Sequence, residues 1–208
     1  MKKIFLLTLI GLSLLLNSQA EKFKGIIILK SDTIEVTFNI PVKYFEDEPN
    51  YEKLQSKVKY YDSKGKKVTL KPCNAKEFQF DYKNRKIRMV SKPNSLGLGN
   101  LFTMSDCIFL KLEIDGELKL FSYYDTRQRG GSYNSFTGGM TPGSSYCIVQ
   151  DILQLGNGGL IRPKGINFKN SMSELFKKCP SLVEKIESKE FRKKELEELV
   201  RYYNSNCK

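Results

Sequence analysis

The chain has 208 residues, with 35 Lys and Arg against 23 Asp and Glu, a formal net charge of +12, five Cys, no His and no Trp. An apolar fraction of 40%, with 13 Phe and 11 Tyr, is that of a folded chain, and five Cys in this length is too few for a disulfide-dense miniprotein. The absence of His closes off Ser-His and Cys-His nucleophile pairs, His-ligated metal sites and imidazole acid–base steps.

The N-terminus has the pattern of a secretory signal. Lys2 and Lys3 precede an apolar run of 13 residues, Ile4 to Leu16, and Ser18 and Ala20 supply small residues at the −3 and −1 positions of a cleavage site after Ala20. Thirteen residues rise only about 20 Å as a helix, short of the roughly 30 Å hydrocarbon core. The run therefore reads as a cleaved signal (residues 1–20) and not as an anchor. No Cys lies near the cleavage site, and no later segment is a transmembrane candidate. The mature chain would have 188 residues (208 − 20) and, without Lys2 and Lys3, a net charge of +10. Its Lys residues are spread along the chain with no run of five like charges, which fits a Lys-rich surface better than a dedicated polyanion site.

Residues 21–162 are β-rich. Ile26 to Leu29 and the alternation of Ile34, Val36, Phe38 and Ile40 predict a hairpin turning at Ser31-Asp32. Residues 41–55 are polar and irregular. Glu46-Asp47-Glu48 within them reads as a solvated acidic turn, lacking the spaced ligands of a calcium loop. Val58–Tyr61 and Val68–Leu70 flank another turn. Phe78, Phe80 and Tyr82 alternate into a Lys83-Asn84 turn, which pairs Phe80 with Ile87 and Phe78 with Met89. Gly97 and Gly99 give G-x-G only, a loop rather than a phosphate cradle.

The segment from Cys107 to Tyr124 predicts a hairpin with a three-residue loop, Ile114-Asp115-Gly116. That loop sets Leu112 opposite Leu118 and Leu110 opposite Leu120. Residues 127–145, rich in Gly and Ser, read as a long flexible loop. Arg127, Arg129, Tyr133, Phe136 and Met140 on it are the candidate ligand contacts. A strand from Tyr146 to Leu155 and a hairpin partner at Leu160–Arg162 follow.

Pro163 opens a helical segment, 163–208. Ser171/Glu174 and Ser181/Glu184 have capping-box spacing, and Leu196, Leu199, Val200 and Tyr203 form one helix face. The predicted class is α+β: mainly antiparallel β, as a sandwich or partly open barrel of nine or ten strands, with a C-terminal helical hairpin packed on the same domain.

The tail CPSLVEKIESKEFRKKELEELVRYYNSNC, with IDGELKLFSYY and LQLGNGGLIRP before it, resembles a group of uncharacterised exported proteins of Bacteroidota-type bacteria. The resemblance implies an exported β-rich domain with a Cys-linked helical tail and brings no catalytic residues with it. Two antiparallel helices would also bring Cys179 and Cys207 together by themselves. Cys107 and Cys147 would lie one strand too far apart to bridge and read as small buried hydrophobes, while Cys73 has no evident mate. No C-x-x-C or Ser-Lys motif, cofactor motif or metal-ligand set is legible.

These features predict an exported protein of the periplasm, outer-membrane surface or medium. The leading expectation is a non-enzymatic binding protein for an envelope protein, glycan or lipid headgroup, with no nucleic-acid partner. The alternatives are a His-free carboxylate hydrolase acting on glycans, with Asp106, Glu113 and Asp125 as strand-borne candidates, and a structural envelope protein without a discrete site.

Overall fold

The computed structural model describes residues 20–43, 46–99, 105–134 and 138–207. The expected signal segment lies outside them apart from Ala20. The chain runs through β1 (Ala20–Ile28), β2 (Thr33–Lys43), β3 (Glu48–Pro49), the short helix α1 (Tyr51–Ser56), β4 (Val58–Tyr61) and β5 (Lys67–Leu70). A 3₁₀ turn (Pro72–Asn74) leads to β6 (Glu77–Tyr82), β7 (Arg85–Pro93), β8 (Cys107–Ile114) and β9 (Leu118–Arg129). Then come β10 (Ser132–Asn134), β11 (Gly139–Thr141), β12 (Ser144–Leu155) and β13 (Leu160–Ile161). Three helices close the chain: α2 (Phe168–Leu175), α3 (Pro180–Glu187) and, after a second 3₁₀ turn, α4 (Leu196–Asn206).

The strands make one antiparallel sheet of 11, in the order β13-β12-β9-β8-β7-β6-β1-β2-β4-β5 with β3 beside β2, and β10–β11 form a separate pair. The sheet is not closed: β13 and β5 are its two ends, and the mainly antiparallel α+β class holds. Alternation along the strands sends side chains to its two faces. On one face, Ile27, Phe38, Phe78, Phe80, Met89 and Phe109 pack with Tyr51 and Leu54 of α1 into the largest core. Because α1 touches β4 as well as β8 and β9, the sheet bends around this core.

Further along the same face, Ile114, Leu118, Leu120 and Leu153 are covered by Phe168, Met172, Phe176, Leu182, Ile186, Leu199 and Val200 of the tail. The tail thus packs on the sheet, as its unaccompanied apolar stripes require. On the opposite face, Leu98 covers Ile108, Leu110, Phe121, Tyr123 and Ile152.

The expected β6–β7 register holds. The β6–β7 hairpin sets Phe80 opposite Ile87 and Phe78 opposite Met89, and Lys83 and Asn84 take φ of 47° and 61°, the left-handed pair of a two-residue turn. Gly25 is required where β1 passes between β2 and β6, because a Cβ there would overlap the Gln79 carbonyl and come within 2.8 Å of the Phe38 ring.

Other expectations are corrected. β8 and β9 pair as Leu112 opposite Phe121 and Ile114 opposite Leu120, with a bulge between, instead of Leu112 opposite Leu118. The cause lies 86 residues on: the Asn204 side chain of α4 accepts from the Leu118 N–H (2.8 Å) and donates to its C=O (2.9 Å), so Leu118 is not available to β8. Neither capping box forms. Ser171 sits inside α2 and donates to the Asn167 carbonyl (2.6 Å), and α3 starts at Pro180, a residue pre-set for the first helical position.

Cys179 and Cys207 are bridged as expected, with Cα atoms 5.4 Å apart. Cys73 does have a mate: it bridges Cys107 across 5.3 Å, because the 3₁₀ turn lies against β7 and β8. Cys147 is free and exposed, not buried.

Candidate functional site

β9 and β12 are each 12 residues long and pair along their whole length, from Ser144 opposite Arg129 to Leu155 opposite Leu118. The half near Leu118 is buried in the body, whereas 126–129 and 144–147 are exposed. The glycine-rich stretch read as a flexible loop is therefore a two-stranded arm that leaves the body, continued by the β10–β11 pair. The β9–β12 ladder carries the strands past the point where Gly and Ser begin. Each added residue pair satisfies main-chain donors and acceptors that a loop would leave to water.

Glutamine 55 fixes the root of the arm. Its Nε2 donates to the Tyr124 carbonyl (2.8 Å) and its Oε1 accepts from the Tyr124 N–H (2.6 Å). β8 pairs with β9 only as far as Ser122. Beyond that point the strands part and α1 fills the gap, with Tyr51 stacked on Tyr124 at 4.8 Å between ring centroids. Burial raises the Tyr51 and Tyr124 hydroxyls above their ordinary range.

Beside α1 is a cleft of about 340 Å³ lined by Glu52, Gln55, Asn94, Leu98, Tyr123 and Asp125, among others. Both of its carboxylates are engaged. Glu52 accepts from the Thr126 hydroxyl (2.5 Å), and Asp125 accepts from Gln150 (3.1 Å) and Arg127 (3.4 Å). Of the three carboxylates singled out from the sequence, Asp125 alone lines this cleft. Glu113 is held by Ser122 (2.7 Å) and Lys111 (2.9 Å), and the Asp106 carbonyl accepts from the Asn94 N–H (2.8 Å). Asp151, a carboxylate the sequence did not single out, is half-buried on β12, and burial pushes its carboxyl above the usual range.

Arg127 and Arg129 are exposed on one face of the arm, with Tyr146 opposite Arg127. Tyr133 occupies a position on β10 paired with Met140, and Phe136 lies outside the described residues. Met140, Tyr146 and Val149 are exposed by 84%, 50% and 53%. Tyr146 and Val149 were read only as strand residues, since alternation alone does not reveal whether anything covers a face. One signal was available: residues 130–150, 21 in succession (150 − 129), carry no charge in a chain whose charged fraction is 28%.

The thiol of Cys147 is pushed above its ordinary range, chiefly by desolvation, with Lys43 opposing. The acidic turn is internally compensated. Asp47 accepts from Tyr82 and is paired with Lys83, which holds its carboxyl below the usual range. Among the described residues no group of three or more ligand-type side chains could hold a metal, and no helix is long and apolar enough to cross a membrane. Comparison with protein-family models, with curated proteins and with solved structures found no match.

Proposed function

We propose that this protein is an exported, non-enzymatic interaction protein that holds a protein of the cell envelope on its β9–β12 arm. The observation that carries the proposal is the arm itself: exposed Tyr146, Val149 and Met140 on a ribbon that carries no charge from residue 130 to 150, standing out from a body dense in Lys. Exposed aromatic and aliphatic side chains on a fixed scaffold are the material of contact surfaces. An unpaired strand edge offers main-chain hydrogen bonds that match another polypeptide. A lipid headgroup or acidic glycan would call for clustered cations, and the arm bears only Arg127 and Arg129. Export is supported by the charged and apolar N-terminus, and by two cystine bridges, which persist in oxidising compartments.

The test replaces Met140, Tyr146 and Val149 together with Ser, removing the exposed apolar side chains that carry the proposal. All three side chains are exposed, so Tm should stay within about 3 °C of the parent. Light cross-linking in the native host, followed by purification at about 0.15 and about 0.5 M salt to strip contacts made by charge alone, should recover a partner with the parent and none with the variant. Recovery of the same partner by both proteins would overturn the proposal.

A further inference from the structure

We infer that the open edge of β12 pairs with the same edge of a second copy of this chain, antiparallel about Cys147, and that the two Cys147 thiols then close an intermolecular bridge. The inference rests on the arm being the contact surface and names what occupies it.

The direction of the main-chain groups follows from Gln55. Its amide takes both the N–H and the C=O of Tyr124, so these point away from β12. Tyr124 faces Val149. In an antiparallel ladder, opposite residues that do not bond each other both point outward. Val149 therefore presents its N–H and C=O to the outer edge of β12, and Cys147 and Ser145 do the same at the period of two. On that side β13 pairs only with Leu153 and Gln154, and among the described residues no strand covers the edge before them.

Exposed edges are ordinarily protected by Lys, Pro, bulges or shortness. This one is protected by none of them: Ser144 to Gln150 contains no charge and no Pro. A partner of opposite charge would be met by Lys or Arg along the edge. An uncharged edge is instead where two copies of a basic chain can approach with least repulsion.

The register is self-complementary. With Cys147 opposite itself, Ser145 faces Val149 of the other copy. Tyr146 faces Ile148 of the other copy twice, an aromatic to β-branched pair of the kind that favours cross-strand association. A hydrogen-bonded pair places Cα atoms about 5.5 Å apart. The two intrachain bridges have 5.3 and 5.4 Å, so a bridge fits that spacing. Four of the five Cys are already paired, leaving Cys147 as the odd thiol. The bridge forms by exchange with a disulfide donor: two Cys147 thiols and one R–S–S–R give one Cys147–Cys147 bond and two R–SH, the donor taking the electrons and the thiol protons. Edge pairing of one short strand is small beside a standard interface, so the unbridged dimer is weak and the bridge makes it permanent.

The test uses the mature chain at about 100 μM, where micromolar associations are populated, with oxidised glutathione as donor. Non-reducing electrophoresis should show a covalent dimer that reductant dissolves. Cys147→Ser should remove the covalent dimer while light scattering still detects concentration-dependent association. Val149→Pro, which deletes an outward N–H, and Ser145→Lys, which charges the edge of an exposed position, should each abolish both, with the Tm of the Lys variant confirming its fold. A parent that stays monomeric with Cys147 fully open to maleimide would overturn the inference, as would dimers surviving both edge variants. If the parent is monomeric while the triple Ser variant still loses a cross-linked partner, the second copy is refuted and the arm remains the contact surface.

Discussion

Removing both disulfide bridges is expected to lower the stability of the mature protein by about 7 kcal/mol, and removing Cys179–Cys207 alone by about half of that. The two bridges join residues 28 and 34 apart in sequence, closing loops of 29 and 35 residues. In the chain-entropy account such loops are worth about 3.6 and about 3.8 kcal/mol. A domain of this size has roughly 5–15 kcal/mol in total, so the doubly reduced chain should be unfolded or marginal at 37 °C. The positions explain why the effect is global. Cys179 caps the start of α3 and Cys207 the end of α4, so this bridge fastens the helical tail that covers Leu118, Leu120 and Leu153. Cys73 and Cys107 fasten the 3₁₀ turn to the first residue of β8, where Ser91 also donates to the Pro72 carbonyl (2.6 Å). Urea unfolding of Cys179→Ala/Cys207→Ala should show a lower midpoint and, because the denatured chain expands, a steeper slope. A Tm within about 2 °C of the parent would contradict this account, since about 2–4 °C is expected per kcal/mol at this size.

The second large effect is expected at two amides. Gln55 and Asn204 each satisfy both main-chain groups of one β9 residue, Tyr124 and Leu118, at the two ends of the β8–β9 pairing. β8 serves the residues between them, Leu120 and Ser122. Gln55→Leu or Asn204→Leu keeps the bulk and strands an N–H and a C=O, costing about 2–4 kcal/mol each, or roughly 5–12 °C in Tm. Gln55 is almost fully buried, so its loss cannot be repaired freely by water. Amide exchange at Tyr124 should quicken in Gln55→Leu and that at Leu118 in Asn204→Leu, without the reverse. Unchanged exchange and Tm in either variant would show that β8 or water already satisfies those groups.

The features legible in the sequence are those that local chemistry decides. Lys83-Asn84 fixes the β6–β7 register because both residues accept positive φ, and the periodic face of Leu196, Leu199 and Val200 is buried as read. The features that escaped are set by distant residues. The β8–β9 register depends on Asn204, and the Cys73–Cys107 bridge depends on a turn lying across two strands. The arm escaped because Gly and Ser were weighed as loop formers, while the β9–β12 ladder overrides such local preference. Arg127 and Arg129 were legible as exposed polar positions. Tyr146, Val149 and the free Cys147 were not, because exposure of a strand edge depends on where its neighbours stop.

The most direct measurement places a photo-activatable benzoylphenylalanine at Tyr146 on the arm and, as a control, at exposed Lys64 in the turn between β4 and β5, at the far end of the sheet. Irradiation of native-host cells expressing each variant should give a discrete cross-linked species from position 146 and none from position 64. Cross-links from position 64 alone, or equal yields from both, would contradict the arm as the contact surface.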